Sequence, residues 1–143
     1  MAQNSVRRRV EFGEADPAGI LFYPNYYRWF DQATHDLFRS LGWTIALHLE
    51  EGYAIPLVET GATFRGPVRY DDCVEITSAV TEVRSRSFRV QHTVRHEGHE
   101  VCIGFEVRVW ARLDERGRAI QTEMLPRDLR ERLVAGMREE GAP

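Results

Sequence analysis

Residues Val10 to Trp43 read VEFGEADPAGILFYPNYYRWFDQATHDLFRSLGW, and the fold turns on how this stretch is read. A strand-like run, Arg8 to Gly13, leads into Asp16-Pro17-Ala18-Gly19, and this turn feeds a short apolar link, Ile20 to Phe22, and then a long amphipathic segment. Asp-Pro-x-Gly is by itself a favoured type I turn, with aspartate first, proline second and glycine fourth. From Asn25 onward, Tyr26, Phe30, Ala33, Leu37 and Leu41 recur at helical spacing; Trp29 and Phe38 widen the stripe, while Arg28, Gln32, Asp36 and Arg39 fall largely off it. Pro24 suits the first turn, where its missing N–H costs nothing, and Gly42 suits the C-terminal cap. So broad and aromatic a stripe is covered on both flanks, as a long helix wrapped by a curved sheet would be.

Working outward, Val6 to Glu14 alternates loosely, with Val6, Val10 and Phe12 on one face, which predicts a half-exposed strand. Trp43 to Glu51 predicts a short second helix capped by Thr44 and stopped by Gly52. Four strands follow: Ala54 to Phe64, interrupted by Pro56 and Gly61; Val74 to Val83; Phe88 to Val94; and Val101 to Val109. In the third, Phe88, Val90, His92 and Val94 alternate against Arg89, Gln91 and Thr93. In the last, Val101, Ile103, Phe105, Val107 and Val109 make an apolar face predicted to be buried, against Cys102, Gly104, Glu106 and Arg108. His96 to His99 and Asp114 to Arg118 are predicted hairpin turns. Pro126 opens a final helix to about Glu139, with Leu129, Leu133 and Met137 at fourfold spacing. The order predicts an α+β fold in which an antiparallel sheet of about five meandering strands covers one long helix, with residues 1–143 as a single domain.

Bulk properties narrow the function classes. A chain of 143 residues with 43% apolar and 29% charged residues is ordinary for a globular protein, and a net charge of -3 argues against a nucleic-acid partner. All 19 basic residues are arginine, so every fixed cation can fork onto a phosphate. The two cysteines, Cys73 and Cys102, have no C-x-x-C spacing and are expected as free thiols in a reducing cytoplasm. No apolar run approaches the roughly 20 residues of a membrane helix, and the arginine-rich N-terminus lacks the apolar core of a secretory signal.

The chemistry concentrates at Asp16. A turn feeding a helix start sets a carboxylate beside unpaired N–H groups and a positive dipole end, within apolar walls. Such donors polarise an acyl carbonyl and hold its oxyanion, and the carboxylate attacks the carbon or activates water. No Gly-x-Ser-x-Gly elbow competes with it. His92, His96 and His99 share a strand and turn but lack a carboxylate-supported metal spacing, so no metal site is expected.

The same stretch resembles the hotdog-fold acyl-CoA thioesterases of the 4-hydroxybenzoyl-CoA type, whose signature runs strand, (D/E)-x-D-P-A-G, a short apolar run, Tyr-Pro-Asn-aromatic, then helix. Glu14 to Gly19 and Tyr23-Pro24-Asn25-Tyr26 fit it. The resemblance implies hydrolysis of an acyl-CoA, aromatic in this type, with Asp16 as the catalytic carboxylate and the Tyr23 N–H as oxyanion donor. It brings Asp31 and Trp43 near the acyl group and sets the strand bearing Thr60 and Thr63 along the groove, where the two threonines either bind substrate or simply fill a strand. It makes Arg84-Ser85-Arg86 the clamp for the coenzyme A phosphates, although Ser85 stands where the family has a basic residue. It also implies no cofactor beyond the coenzyme A of the substrate, and a homodimer with a shared site, assembled further into a homotetramer. A non-catalytic acyl-CoA binding protein and a hotdog dehydratase or hydratase are the alternatives; the latter normally works through a histidine, and none lies between Val10 and Tyr27.

Overall fold

The computed structural model describes the backbone of residues 1–140 and the side chains of residues 1–135. Strand β1 (Gln3–Arg9) leads through a short 3-10 turn (Phe12–Glu14) into helix α1 (Pro24–Ser40) and helix α2 (Ile45–Glu50). Then come β2 (Tyr53–Ala54), β3 (Leu57–Phe64), β4 (Cys73–Val83), β5 (Ser87–His96), β6 (His99–Val109), β7 (Ala111–Leu113), β8 (Ala119–Thr122) and helix α3 (Arg127–Glu140). Five strands form one antiparallel sheet in the order β1-β4-β5-β6-β3, and this sheet wraps α1. The sequence-derived α+β arrangement holds. Its meander is confined to β4-β5-β6, because β3 crosses to the far edge.

Helix α1 follows its sequence pattern. Tyr26, Trp29, Phe30, Ala33, Leu37 and Phe38 are all buried, and Gly42 ends the segment with φ +74. The helix lies close on the sheet because β6 offers Gly104 beneath Phe30; a Cβ there would collide with the Phe30 ring. Phe30 in turn stacks on His92 of β5 at 4.8 Å between ring centroids, and Phe38 meets Phe88 at 5.3 Å. Val10, Leu21, Val68, Ile76, Val94 and Cys102 complete the core around the N-terminal half of α1. Leu37, Phe38, Val80, Val90, Trp110, Leu129 and Leu133 complete it around the C-terminal half.

Several expectations are corrected. The first strand ends at Arg9 rather than Glu14, since Phe12–Glu14 coils into the 3-10 turn and leaves Phe12 exposed. The run from Ala54 to Phe64 divides at Pro56, whose missing N–H breaks the ladder. Ala54, with Tyr53 before it, joins β7 and β8 in a second, three-stranded sheet that the sequence did not reveal, with Asp114 to Arg118 as the hairpin turn. Thr44 stands at the start of α2 but makes no side-chain capping bond.

The largest correction concerns β6. Register pairs Phe88 with Arg108, Val90 with Glu106, His92 with Gly104 and Val94 with Cys102, so the polar row of β6 shares the helix-facing side with the buried row of β5. Cys102, Gly104, Glu106 and Arg108 are buried, whereas Ile103, Phe105, Val107 and Val109 lie on the outer face and are only partly covered. Arg89 lies over the Phe105 ring there, 3.9 Å from its centroid. Helix α3 docks through Leu129 and Leu133 as predicted; the Met137 side chain and residues 141–143 lie outside what the structure describes.

Candidate functional site

The turn that opens the signature stretch closes into a small hairpin. Glu14 O accepts the Phe22 N–H at 2.8 Å, Ala15 bridges Leu21, and the Asp16 N–H donates to Ile20 O at 2.8 Å. Gly19, at φ +80, returns its N–H to Asp16 O at 2.9 Å, the closing bond of the turn predicted from Asp-Pro-Ala-Gly. Asp16 Oδ1 accepts the Ala18 N–H at 2.8 Å and the Ile20 N–H at 3.4 Å. One carboxylate oxygen is thus anchored by the turn, and Oδ2 has no protein partner among the described residues.

The other end of the hairpin runs into α1. Pro24 brings no N–H, while the Asn25 and Tyr26 N–H groups turn back to Phe22 O and Tyr23 O at 2.9 and 3.1 Å. The Tyr23 N–H is left without a backbone partner among the described residues, at the positive end of a 17-residue helix. Aromatic rings wall this opening: Tyr23 meets Phe64 at 6.3 Å and Phe22 at 5.5 Å, and Tyr26 meets Phe64 at 5.4 Å. Asp16 and Tyr23 are therefore carried by one rigid unit.

Glu14 and Asn25 make that unit rigid. Glu14 is half-buried: its Oε2 accepts Trp29 Nε1–H at 2.7 Å and its Oε1 accepts the Glu11 N–H at 2.8 Å. Asn25 is buried and donates from Nδ2 to Glu14 O at 2.9 Å, so its amide binds the helix start to the hairpin.

A second polar assembly sits two turns along α1. Arg108 on β6, almost fully buried, donates to Asp31 Oδ1 at 2.6 Å, to Glu106 Oε2 at 2.8 Å and to Ile55 O at 2.9 Å. Glu106 also accepts the Thr34 hydroxyl and lies 3.2 Å from His92 Nε2, whose Nδ1 lies 2.7 Å from the Ser78 hydroxyl. Burial works against the ionised Glu106, yet the His92, Arg108 and Thr34 hydrogen bonds outweigh it and hold the carboxyl down at about 2. Sequence reading missed this cluster because Glu106 and Arg108 had been assigned to the solvent face. The signal that could have found it is His92 in the buried row of β5, which needs polar partners on the strand beside it.

Other predicted residues are dispersed within one chain. Asp31 is half-exposed and paired with Arg108, and Trp43 packs edge-on against Trp110 at 6.2 Å near the far end of α1. Thr60 spends its hydroxyl on Phe105 O at 2.8 Å, and register with Ile103 turns Thr63 to the outer face. Arg84 pairs with Glu82 at 2.7 Å, Arg86 donates to Thr122 O at 3.3 Å, and Ser85 O accepts the Leu125 N–H at 2.9 Å. This hairpin borders Phe88, and Phe88 meets Phe38, so the length of α1, about 22 Å from Tyr23 to Phe38 at 1.5 Å per residue, separates it from Asp16 of the same chain. No cluster of three or more metal-ligating side chains occurs among the described residues, and none of their helices is long and apolar enough to cross a membrane.

Comparison with known proteins fits this geometry. Residues 10–133 match the model of the thioesterase-like superfamily. The 4-hydroxybenzoyl-CoA thioesterase of Pseudomonas sp. strain CBS-3 is 37% identical over 127 residues, spanning 82% of this chain and 89% of that enzyme. The crystal structure of an Asp-to-Asn variant of a 4-hydroxybenzoyl-CoA thioesterase complexed with 4-hydroxybenzoyl-CoA superimposes at a TM-score of 0.83 and 31% identity, covering 93% of this chain and 99% of that one. A gentisyl-coenzyme A thioesterase superimposes at 0.82 and 32% identity, covering 91% and 99%. The 1,4-dihydroxy-2-naphthoyl-CoA hydrolase of Thermosynechococcus vestitus is 25% identical over 122 residues, 84% of each chain.

Proposed function

The chain belongs to the thioesterase-like superfamily and has its hotdog fold, and on that premise we propose that it hydrolyses an aromatic acyl-CoA to the free acid and coenzyme A, with Asp16 as the catalytic carboxylate. That it is an acyl-CoA thioesterase follows from its relatives; the acyl group and the residue roles are our reading. The observation that carries this reading is the hairpin that holds one oxygen of Asp16, leaves the other free, and ends at the unpartnered N–H of Tyr23.

In this mechanism the thioester carbonyl oxygen accepts the Tyr23 N–H at the positive end of α1, which stabilises the negative charge that develops there. Oδ2 of Asp16 either attacks the carbonyl carbon, giving an acyl anhydride on Asp16 that water then hydrolyses, or takes a proton from an attacking water; in both routes the C–S bond breaks and coenzyme A leaves as the thiolate. The substrate brings the only coenzyme the chemistry uses. The relatives named above act on hydroxylated aryl-CoAs, which favours a ring hydroxyl on the acyl group here. Asp31 suits that hydroxyl: its Oδ1 is held by Arg108, and Oδ2 has no partner among the described residues.

A homodimer supplies the missing neighbours. Strand β3 is an eight-residue free edge with Leu57, Val58 and Phe64 exposed, a template for pairing with a second copy of itself. Antiparallel self-pairing brings the Phe64 end of one chain to the Leu57 end of its partner. Leu57 is opposite Arg108, which holds Asp31, and Arg84 to Arg86 lie at the same end of the sheet. The Asp16 hairpin of one protomer then faces the acyl-end and arginine-bearing region of the other, with Arg84, Ser85 and Arg86 toward the coenzyme A phosphates and Trp43, Thr60 and Thr63 on the flanks. Two such dimers assemble further into the tetramer, in the cytoplasm.

The test is Asp16→Asn assayed against benzoyl-, 4-hydroxybenzoyl-, phenylacetyl- and aliphatic acyl-CoAs. The variant should lose about 10³-fold in kcat while still binding the aryl-CoA. Undiminished hydrolysis would remove Asp16 from the mechanism, and a flat substrate profile in the wild type would remove the aryl assignment.

A further inference from the structure

Within the polar cluster the charges do not cancel. Asp31 and Glu106 are two carboxylates sharing the single guanidinium of Arg108; His35 Nε2 also lies 3.6 Å from Asp31 Oδ1, but burial pushes its imidazole below the usual range and keeps it neutral near pH 7, so the uncompensated negative charge falls on the member that reaches the surface, Asp31, whose side chain is 57% exposed. Arg108 is 4% exposed, and its donors are committed to three different elements: Asp31 on α1, Glu106 on its own strand, and the Ile55 carbonyl between β2 and β3. Glu106 is itself immobilised by Thr34 on α1 and His92 on β5. A forked cation fixed on three sides dictates the orientation of the one carboxylate that faces outward. A purely structural role explains this poorly, because a buried ion pair is readily replaced by apolar packing of similar volume.

We propose that Arg108, braced by Glu106, is a positioning residue for substrate selection: it fixes the Asp31 carboxylate so that Oδ2 is presented to a hydrogen-bond donor on the acyl group. This rests on the reading of Asp31 as the group that meets the ring hydroxyl. Arg108 touches neither the thioester nor the acyl chain; it acts through Asp31 alone. A site built to bond a hydroxyl discriminates strongly against the analogue lacking it, because its polar group is then left unpaired, and the discrimination depends on that group being held still.

The experiment compares kcat/KM for 4-hydroxybenzoyl-CoA and benzoyl-CoA, as a ratio, in the full chain and its variants. Because Arg108→Met alone strands a buried carboxylate, the matched pair Glu106→Gln with Arg108→Met removes both charges together, and near-UV circular dichroism checks that the core survives. The ratio should fall roughly tenfold or more in the matched pair, carried mainly by KM for the hydroxylated substrate. It should fall roughly threefold in Arg108→Lys, which keeps the charge and loses the fork. Adding Asp31→Asn to the matched pair should lower the ratio no further than Asp31→Asn does alone. A folded matched pair with the wild-type ratio, or effects that add to those of Asp31→Asn, overturns the positioning role. If the matched pair does not fold, Arg108→Lys decides, and an unchanged ratio there overturns it equally. An unchanged ratio in Asp31→Asn itself instead overturns the underlying reading of Asp31, and so is distinguishable from failure of the role of Arg108.

Discussion

Asn25 shows how much of the site rests on single side chains outside the chemistry. It follows Pro24 at the helix start, where an asparagine is ordinarily a surface cap, yet here it is buried with its amide on Glu14 O. Its removal leaves the Glu14 carbonyl with the Phe22 N–H alone, beneath the hairpin that carries Asp16. Asn25→Ala should therefore cost about 0.5–1.5 kcal/mol, read as a lower urea midpoint at unchanged slope. It should also lower kcat, since the hairpin and the helix start no longer move as one body. Loss of activity without loss of stability would show that the amide serves the reaction directly. The signature residues Asp16 and Tyr23 were legible in sequence because they are tied to a local turn and a helix start. Glu14 was not: its partners, Trp29 and Glu11, become neighbours only when the 3-10 turn folds it inward.

At the level of elements, the sequence recorded what repeats and concealed what is paired at a distance. The stripe of α1 and the alternation of β5 were legible because those faces are mostly apolar, with Asn25, Thr34 and His92 the polar exceptions. For β6 the alternation was clear and its sense was inverted, since period two gives two faces and only cross-strand register says which one meets the helix. The small sheet β2-β7-β8 escaped notice because strands of two to four residues carry too little pattern. Helix α2 is the most exposed to solution conditions. Of its side chains only His48 is buried, edge-on against Trp110 at 5.5 Å, with Ile45, Leu47 and Leu49 exposed. Burial, with a smaller contribution from nearby His35, lowers His48 from 6.5 to about 4. The unfolded chain therefore binds this proton first, so stability is complete above pH 6.5 and falls as pH drops toward 4, by about 3 kcal/mol in all. Chemical denaturation between pH 7 and 4.5 should show this slope, and His48→Phe should flatten it. An equal slope in the variant would assign the effect elsewhere.

For the whole molecule, the decisive question is whether one chain is a complete enzyme. Asp16 and Tyr23 sit at one end of α1 and the arginine hairpin at the other, so a single subunit cannot bring both to one substrate. A lysine on the free edge, Val58→Lys, should block self-pairing of β3. Sedimentation should then show a monomer, and hydrolysis should disappear with the dimer even though Asp16 is untouched. A monomer that still turned over substrate would place the whole site within one chain.

The inverted face of β6 also bears on how the chain finds its structure. Shifting β6 by one residue against β5 would put Ile103, Phe105 and Val107 inward and release Glu106 and Arg108 to water, which solvation of the isolated strand favours. In the native alignment Glu106 and Arg108 take partners from the helix as well as the sheet: Thr34 and Asp31 on α1, His92 on β5 and the Ile55 carbonyl. The alignment of β6 and the docking of α1 therefore favour each other, because a slipped strand would take the guanidinium away from Asp31.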